Sequence, residues 1–382
     1  MLSPVNNVNR FKWECYATRY VFLMLGIAFS IWATLIPYAK ERLVISEFDL
    51  GNLLLLVGAG ALLSMPWAGG VTNRLGCRKA LMISSTVFLL SLIALACFSN
   101  ILLFGLGLLL FGISSGVIDV AMNMHAAIVE EHQQRTLMSG FHAMYSLGGF
   151  FGGLVVSVIL EAGVASFSAT AILSILMLVG LFAVFLRHIL PYGSQGKNNN
   201  SFSRPSGMVL FMAILCFFFY MCDGIVLDWG ALLMKHKGSS LEFSGLAFSL
   251  FSLAIATGRL RGDWMAEKLG TRKTLLISAI VTGSGYCLIL SSASTFLSLI
   301  GFAIIGLGVS NLIPILFSYA VRQKTMPISQ AISFITTLGY LGLMAGPPAM
   351  GFIAEQYGVL SVFMSVAGLI LAGTLSAIKY LR

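Results

Sequence analysis

The sequence predicts an all-α membrane protein of twelve transmembrane helices, arranged as two pseudo-symmetric bundles of six. Three observations lead there. The first is composition: of 382 residues 58% are hydrophobic and only 10% charged, where an ordinary soluble domain carries about 25% charged residues. The mean hydropathy is +0.93. No water-soluble packing hides that much apolar surface. The second is length, because the apolar residues come in repeated runs of roughly 20, enough for a helix to cross ~30 Å of hydrocarbon. The third is an internal repeat, described below.

Read between charged or Gly/Asn/Ser breaks, the runs fall near residues 18–39, 50–71, 80–98, 101–128, 136–162 and 166–186 in the first half. Those in the second half fall near 207–234, 243–262, 274–293, 296–321, 329–354 and 359–380. Each run is continuous, about twice as long as a barrel strand needs, and shows no apolar/polar alternation, so helices are expected and not strands. The first run is too long for a signal peptide, has no clear small-residue cleavage site and is followed by eleven more; it is expected to be retained. With the N-terminus inside, 19 Lys and Arg residues, Arg259 and Arg261 among them, collect in cytoplasmic segments, and only Lys40, Arg42, Lys235 and Lys237 lie opposite. This positive-inside bias and the even number of spans put both termini in the cytoplasm of a bacterial inner membrane protein. The longest polar stretch, Pro191 to Pro205, falls between spans six and seven and reads as a cytoplasmic linker. The organisation expected is thus residues 1–187 as an N-terminal bundle, 188–206 as linker and 207–382 as a C-terminal bundle.

The two halves align. Asn73-Arg-Leu-Gly-Cys-Arg-Lys-Ala-Leu-Met-Ile-Ser84 lies without gaps on Glu267-Lys-Leu-Gly-Thr-Arg-Lys-Thr-Leu-Leu-Ile-Ser278, and the same offset sets Gly112 on Gly306, Gly152 on Gly346 and Glu161 on Glu355. Transporters commonly use such repeats, with the substrate between them and one half rocking against the other.

Several function classes are disfavoured. The net charge of +9 comes from Lys and Arg scattered between apolar runs, which suits membrane orientation and not nucleic acid. The six cysteines show no metal-ligand spacing, and no metal site is expected. There is no Gly-Lys-Ser/Thr phosphate loop and no soluble segment long enough for a catalytic domain. Neither catalytic residues nor a cofactor are expected; the energy would come from a gradient.

Gly69-Gly-Val-Thr-Asn73-Arg74-Leu-Gly76-Cys-Arg78-Lys79, between spans two and three, resembles the signature loop of the major facilitator superfamily, and Glu267-Lys-Leu-Gly270-Thr-Arg272-Lys273 is its weaker copy. The likeness covers nearly the whole chain and implies that fold. The chain departs from the pattern at Asn73, where the family usually has Asp. The resemblance implies a gating role for Gly69, Asn73, Arg74, Gly76, Arg78 and Lys79 and for Glu267, Gly270, Arg272 and Lys273. Plain positive-inside anchoring is the other reading of the basic residues. Asp119-Val-Ala-Met-Asn123, Val129-Glu130, Arg135, Met138-Ser139, Phe141-His142 and Asp223-Gly-Ile-Val-Leu-Asp228-Trp229 are similar to the YbjJ-type bacterial permeases, and more distantly to the proton-coupled fucose permeases. In the latter an acid on span four takes part in proton coupling, which is what the resemblance implies for Asp119.

The residues themselves point to the same place. An Asp at mid-bilayer costs roughly 2.5–3.5 kcal/mol on insertion scales, so it persists where it meets a cavity, a partner or a substrate. Asn123 is at the i+4 position and shares its helix face. His142 lies about as far from the hairpin near Gln133 as Asn123 does, so contact among the three is expected, and a carboxyl and an imidazole are suited to pass a proton near neutral pH. No Lys or Arg falls in the middle third of any span as delimited above. Asp119 and His142 are therefore the proton-coupling candidates, against the alternative of a structural acid bonded to Asn123 or solvated in a vestibule. Asn123, Asp223, Asp228, Trp229 and Trp32 are the substrate-binding candidates, with Gly224 and Gly230 weakening span seven; packing or a place near the membrane rim is the other reading for the last four. The expected function is a secondary transporter that moves a small polar organic solute, a sugar or related metabolite, by alternating access and proton symport. The alternative is a proton antiporter that exports drugs or metabolites. A receptor, a scaffold or a membrane-embedded enzyme has no docking module or paired nucleophile and base to support it. The partners expected are the solute and the lipid bilayer, with no nucleic acid, and the chain is expected to act as a monomer.

Overall fold

In the computed structural model the described residues are 4–45, 47–193, 205, 207–238 and 246–381. Among them the regular structure is helical. The first half holds α1 (Pro4–Leu43), α2 (Glu47–Leu75), α3 (Cys77–Leu95), α4 (Ile101–Gln133), α5 (Met138–Glu161) and α6 (Ser166–Gly180), the last running on through a π turn and a 3-10 turn to His188. The second holds α7 (Gly207–His236), α8 (Leu246–Leu269), α9 (Thr271–Ser291), α10 (Thr295–Val309), α11 (Leu312–Arg322), α12 (Ile328–Tyr357) and α13 (Val359–Tyr380). Helices α10 and α11 together form one span, which makes twelve. Eleven of these spans are long and apolar enough to cross a membrane. The twelfth, α8, is not among them because its second half carries Arg259, Arg261, Asp263, Glu267 and Lys268.

Some boundaries differ from the sequence reading. Helix α1 begins at Pro4 and α4 runs on to Gln133, since polar ends extend a helix beyond the hydrocarbon as readily as apolar ones. The tenth span, expected as one helix, breaks at Ser310 and Asn311. Pro314 has no N–H to give the carbonyl four residues before it. That carbonyl, Ser310 O, accepts from Arg259 Nε at 3.2 Å instead.

The chain forms two compact units. One comprises Met1–Gln134, Met144–Arg204 and Lys324–Phe334; the other comprises Arg135–Ala143, Pro205–Gln323 and Ile335–Arg382. In the first unit Gly112 of α4 sits against the backbone of α2, where a methyl group would overlap the Val57 carbonyl, and Gly148 of α5 sits likewise on Leu23 of α1. In the second unit Gly306 meets the Phe251 carbonyl and Gly342 the Phe217 carbonyl. These are the same pairs at the repeat offset, glycine and target alike. Lipid is as apolar as a leucine side chain, so helices associate in it through close backbone approach at small residues. Gly76 and Gly270, which precede α3 and α9, have φ of 81° and 79°, a conformation open to glycine.

Two of the four cations on the sparsely charged side end helices. Arg42 donates from Nε, Nη1 and Nη2 to the carbonyls of Phe98, Ala96 and Leu95 at 3.0, 2.9 and 2.6 Å, at the end of α3. Lys237 Nζ donates to Ile289 O, to Ser292 O at 2.7 Å and to Ser298 Oγ at 3.0 Å, at the end of α9. Leu95 and Phe98 are the repeat mates of Ile289 and Ser292. Partial desolvation lowers the pKa of both cations from their ordinary values. Both satisfy carbonyls that a helix C-terminus leaves open and both oppose the negative end of its dipole. Hydrogen bonds to charged groups contribute about 1.5–3 kcal/mol. Arg42→Met and Lys237→Met are each expected to lower stability by roughly that amount, read as thermal unfolding of the detergent-solubilised protein, while Lys79→Met, on an exposed residue, is expected to change it by less than ~0.5 kcal/mol.

Candidate functional site

Asn100 starts α4 by accepting from Leu102 N and Leu103 N at 2.9 and 3.1 Å, and the helix then runs without a break to Gln133. Two turns of its second half carry Asp119 and Asn123, which are 5% and 0% exposed. Asn123 Nδ2 donates to Asp119 O at 2.9 Å and to Asp119 Oδ1 at 3.1 Å, the contact that i,i+4 spacing allows. Asp119 Oδ2 and Asn123 Oδ1 are buried without a hydrogen-bond partner among the described residues. The pair therefore presents two acceptor oxygens and, while Asp119 is ionised, no donor to match them. At the repeat-related positions of the second half stand Ile313 and Phe317, so this polar stripe belongs to one half only. Trp32, expected as a binding residue, is 5% exposed and packs at 6.1 and 5.9 Å from the rings of Phe104 and Phe111.

His142 lies in residues 135–143, which group with the second unit. It is 7% exposed and its ring lies 5.6 Å from that of Phe317. Arg259, placed by the sequence among the cytoplasmic loop cations, instead sits at the middle of α8, 9% exposed. The span as read from sequence stopped at 262, which put Arg259 at its edge; the helix continues to Leu269 and makes it internal. Arg259 acts electrostatically on both His142 and Asp223. The second unit thus gathers an imidazole, a carboxyl and a permanent cation, and Arg259 is the member that sequence reasoning missed. Its signal was present: an Arg four residues ahead of an Asp, after a dozen residues that carry no charge.

Helix α7 passes through Asp223 to Trp229 unbroken. Gly224 is used for packing, since a side chain there would press on Leu343, and not for a break. Asp223 and Trp229 are half-buried. The Asp228 side chain lies outside the described residues.

The signature loop docks the end of the sixth span. Arg78 donates from Nε to Ile189 O at 2.8 Å and from Nη2 to Arg187 O at 2.7 Å. Backbone bonds join Arg78 N to Leu190 O and Cys77 N to Tyr192 O. A Cβ on Gly76 would overlap Pro191 O, and one on Gly193 would press on Asn73. His125 completes this clamp: it is 1% exposed, and its Nε2 accepts from Leu190 N at 3.0 Å while Nδ1 meets Thr18 Oγ1 at 3.0 Å. Because Nε2 accepts, the proton of the neutral ring is on Nδ1. Gly69 abuts the Ser329 carbonyl. Arg74, Lys79, Arg272 and Lys273 are exposed.

In the second copy the acids face a helix start. Asp263 Oδ1 accepts from Ser139 N at 2.9 Å and Oδ2 from Gly140 N at 2.7 Å. Glu267 Oε1 accepts from Thr136 N at 3.2 Å and lies 3.6 Å from Arg135 Nε. Asp263 stands at the repeat position of Gly69, and Ser139 at that of Ser333, whose hydroxyl donates to Met65 O. A carboxylate on two open N–H groups at a helix N-terminus is a charge-assisted cap that also opposes the dipole. The cap supplied from α8 to α5 was not visible in sequence, because it joins residues more than a hundred positions apart.

The sequence model of the Major Facilitator Superfamily matches residues 20–241 and 209–382. An uncharacterized MFS-type transporter of Yersinia pestis is 37% identical over 94% of this chain and 94% of its own length. The membrane protein MosC of Rhizobium meliloti is 31% identical over 93% of this chain and 88% of its own. Among solved structures, the transporter FucP in an outward conformation superposes with a TM-score of 0.82 at 14% identity, covering 98% of this chain and 99% of FucP. The proton:xylose symporter XylE superposes with a TM-score of 0.78 at 15% identity, covering 98% and 97%. With the repeat, the signature loop and the twelve spans, these matches make the chain a multi-pass membrane transporter of the major facilitator superfamily.

Proposed function

We propose that the chain moves a small polar organic solute, of the sugar or related-metabolite class, across a bacterial inner membrane by alternating access, in symport with protons, with both termini in the cytoplasm. One observation carries this reading: Asp119 is buried in the middle of an apolar helix, with one oxygen bonded to Asn123 and the other without a partner among the described residues. A carboxylate so placed is costly; a proton on Oδ2 removes the charge and supplies the missing donor. Asp119 then carries the proton. His142, Asp223 and Arg259 supply polarity in the second unit, with Arg259 fixing the field there because its guanidinium stays charged. Two proteins with this fold support the choice of symport: XylE is a proton:xylose symporter and FucP a fucose:proton symporter.

The test is solute-driven proton uptake in proteoliposomes loaded with a pH-sensitive dye, run against a panel of sugars, sugar acids and small organic acids. Wild-type protein is expected to acidify the lumen with at least one member, and Asp119→Asn to reduce that rate by about 10²-fold or more while solute exchange without net proton movement continues. Undiminished proton coupling in Asp119→Asn rules the assignment out. Alkalinisation of the lumen on solute entry, in place of acidification, makes the chain an antiporter.

Gating is assigned to the start of α5 and the end of α8, through the caps that Asp263 and Glu267 place on residues 136–140. Losing an N-terminal cap costs about 0.5–2 kcal/mol, enough to change the population of an opened state several-fold. Asp263→Asn is expected to speed hydrogen exchange in the peptide 135–143 by at least ~5-fold and to leave the α3 peptide unchanged. Equal exchange in wild type and variant rules out the cap as a gate.

A further inference from the structure

Where α7 begins and α11 and α13 end, the second unit has an open cleft of about 620 Å³ lined by Met208, Tyr319, Arg322, Gln323, Lys379 and Tyr380. Among the described residues its lining contains two cations and no carboxylate. Arg322 and Lys379 are both exposed, and among the described residues neither is paired with an acid. Lys379 Nζ lies 5.2 Å above the Tyr380 ring, which itself packs edge-on at 5.4 Å against Phe211. The guanidinium of Arg322 and the ammonium of Lys379 are suited to a phosphate: the first as a planar fork of donors, the second as a point charge.

The apolar surroundings favour one source of that phosphate. Leu375, one turn before Lys379 on the same helix face, is 56% exposed, and Met208 and Tyr380 at the cleft are 39% and 55% exposed. Apolar surface that leads from a basic cleft along the sides of membrane-spanning helices fits acyl chains better than it fits water. The cleft is also at the linker end of the helices, the side that the positive-inside bias gives to the cytoplasm, where anionic lipids concentrate and basic pockets between transmembrane helices take their headgroups.

We infer that this cleft binds the phosphate of an anionic phospholipid, with Arg322 and Lys379 on the headgroup and Met208 and Leu375 beside its chains. Bound lipid that favours the folded protein raises its melting temperature. Full-length protein purified in detergent is expected to melt at least ~2 °C higher with phosphatidylglycerol than with phosphatidylcholine. The double variant Arg322→Gln/Lys379→Gln is expected to lose that difference and to melt with phosphatidylcholine as the wild type does. An undiminished difference in the double variant overturns the inference. So does a rise of the same size from inorganic phosphate alone that needs Arg322, which assigns the cleft to a soluble anion. A second measurement uses wild-type protein only, in case the double variant does not fold: acetylation of Lys379, read by mass spectrometry against Lys324, is expected to slow at least ~3-fold in vesicles containing phosphatidylglycerol relative to phosphatidylcholine alone. Equal rates in the two vesicles overturn it.

Discussion

Hydrocarbon offers no hydrogen bonds, so every backbone N–H and C=O within it must be satisfied by the protein itself. Continuous helices meet that demand along their length and fail it at their ends and at their breaks. In this chain several of the failures are met by charged side chains. Arg42 and Lys237 close the ends of α3 and α9, Arg78 closes the end of the sixth span, Arg259 takes the carbonyl freed at Ser310 and Asp263 takes the open amides at the start of α5. Only 10% of residues are charged, and these five stand at helix ends or at a break. Arg42 and Lys237, two of the four cations on the sparsely charged side, both serve as caps.

The same demand explains why the repeat is so exact in its scaffold. Helices that cannot gain from hiding apolar surface gain from close contact, so the positions that let backbones approach are retained at one offset: Gly112 on Val57 and Gly306 on Phe251, Gly148 on Leu23 and Gly342 on Phe217. At two further contacts the partners exchange roles. Gly116 meets Ser64 in one half, and Gly258 meets Ser310 in the other; Gly26 meets Tyr145, and Gly339 meets Tyr220. Each contact keeps one glycine, on one helix or the other, because the spacing needs a single absent side chain and not a particular one. The chemistry is unequal by contrast. Asp119 and Asn123 face Ile313 and Phe317 across the repeat, Arg259 faces Met65, and Asp263 faces Gly69.

Much of this was legible in the sequence. Apolar runs gave all twelve spans, and the gapless match of Asn73–Ser84 with Glu267–Ser278 announced the repeat. The Asp119–Asn123 contact followed from i,i+4 spacing, a local rule that needs no tertiary knowledge. What escaped was tertiary. The break in the tenth span needed both Pro314 and a donor from α8 to make it tolerable, and a proline alone does not say whether a transmembrane helix bends or breaks. Arg259 escaped because hydropathy ends a span at the first charge cluster, whereas a helix with a buried partner for its cation continues. The docking of residues 187–193 on the signature loop joins Arg78 and His125 to backbone carbonyls and amides, which carry no side-chain signal at all.

On the proposed reading, the unequal residues divide the work by whether their charge can change. A carboxyl on α4 can gain and lose a proton, and Asn123 holds one of its oxygens in place while leaving the other open. A guanidinium on α8 cannot release its proton under any physiological condition, so Arg259 cannot carry the coupling ion, whatever it binds. Its carbonyl partner Ser310 O is neutral, and the cation acts electrostatically on Asp223 and His142. A coupling group must be able to become neutral, and an orienting group must not. Placing the first in one half of the repeat and the second in the other requires the halves to differ in chemistry while they remain alike in packing, which is the pattern found along the chain.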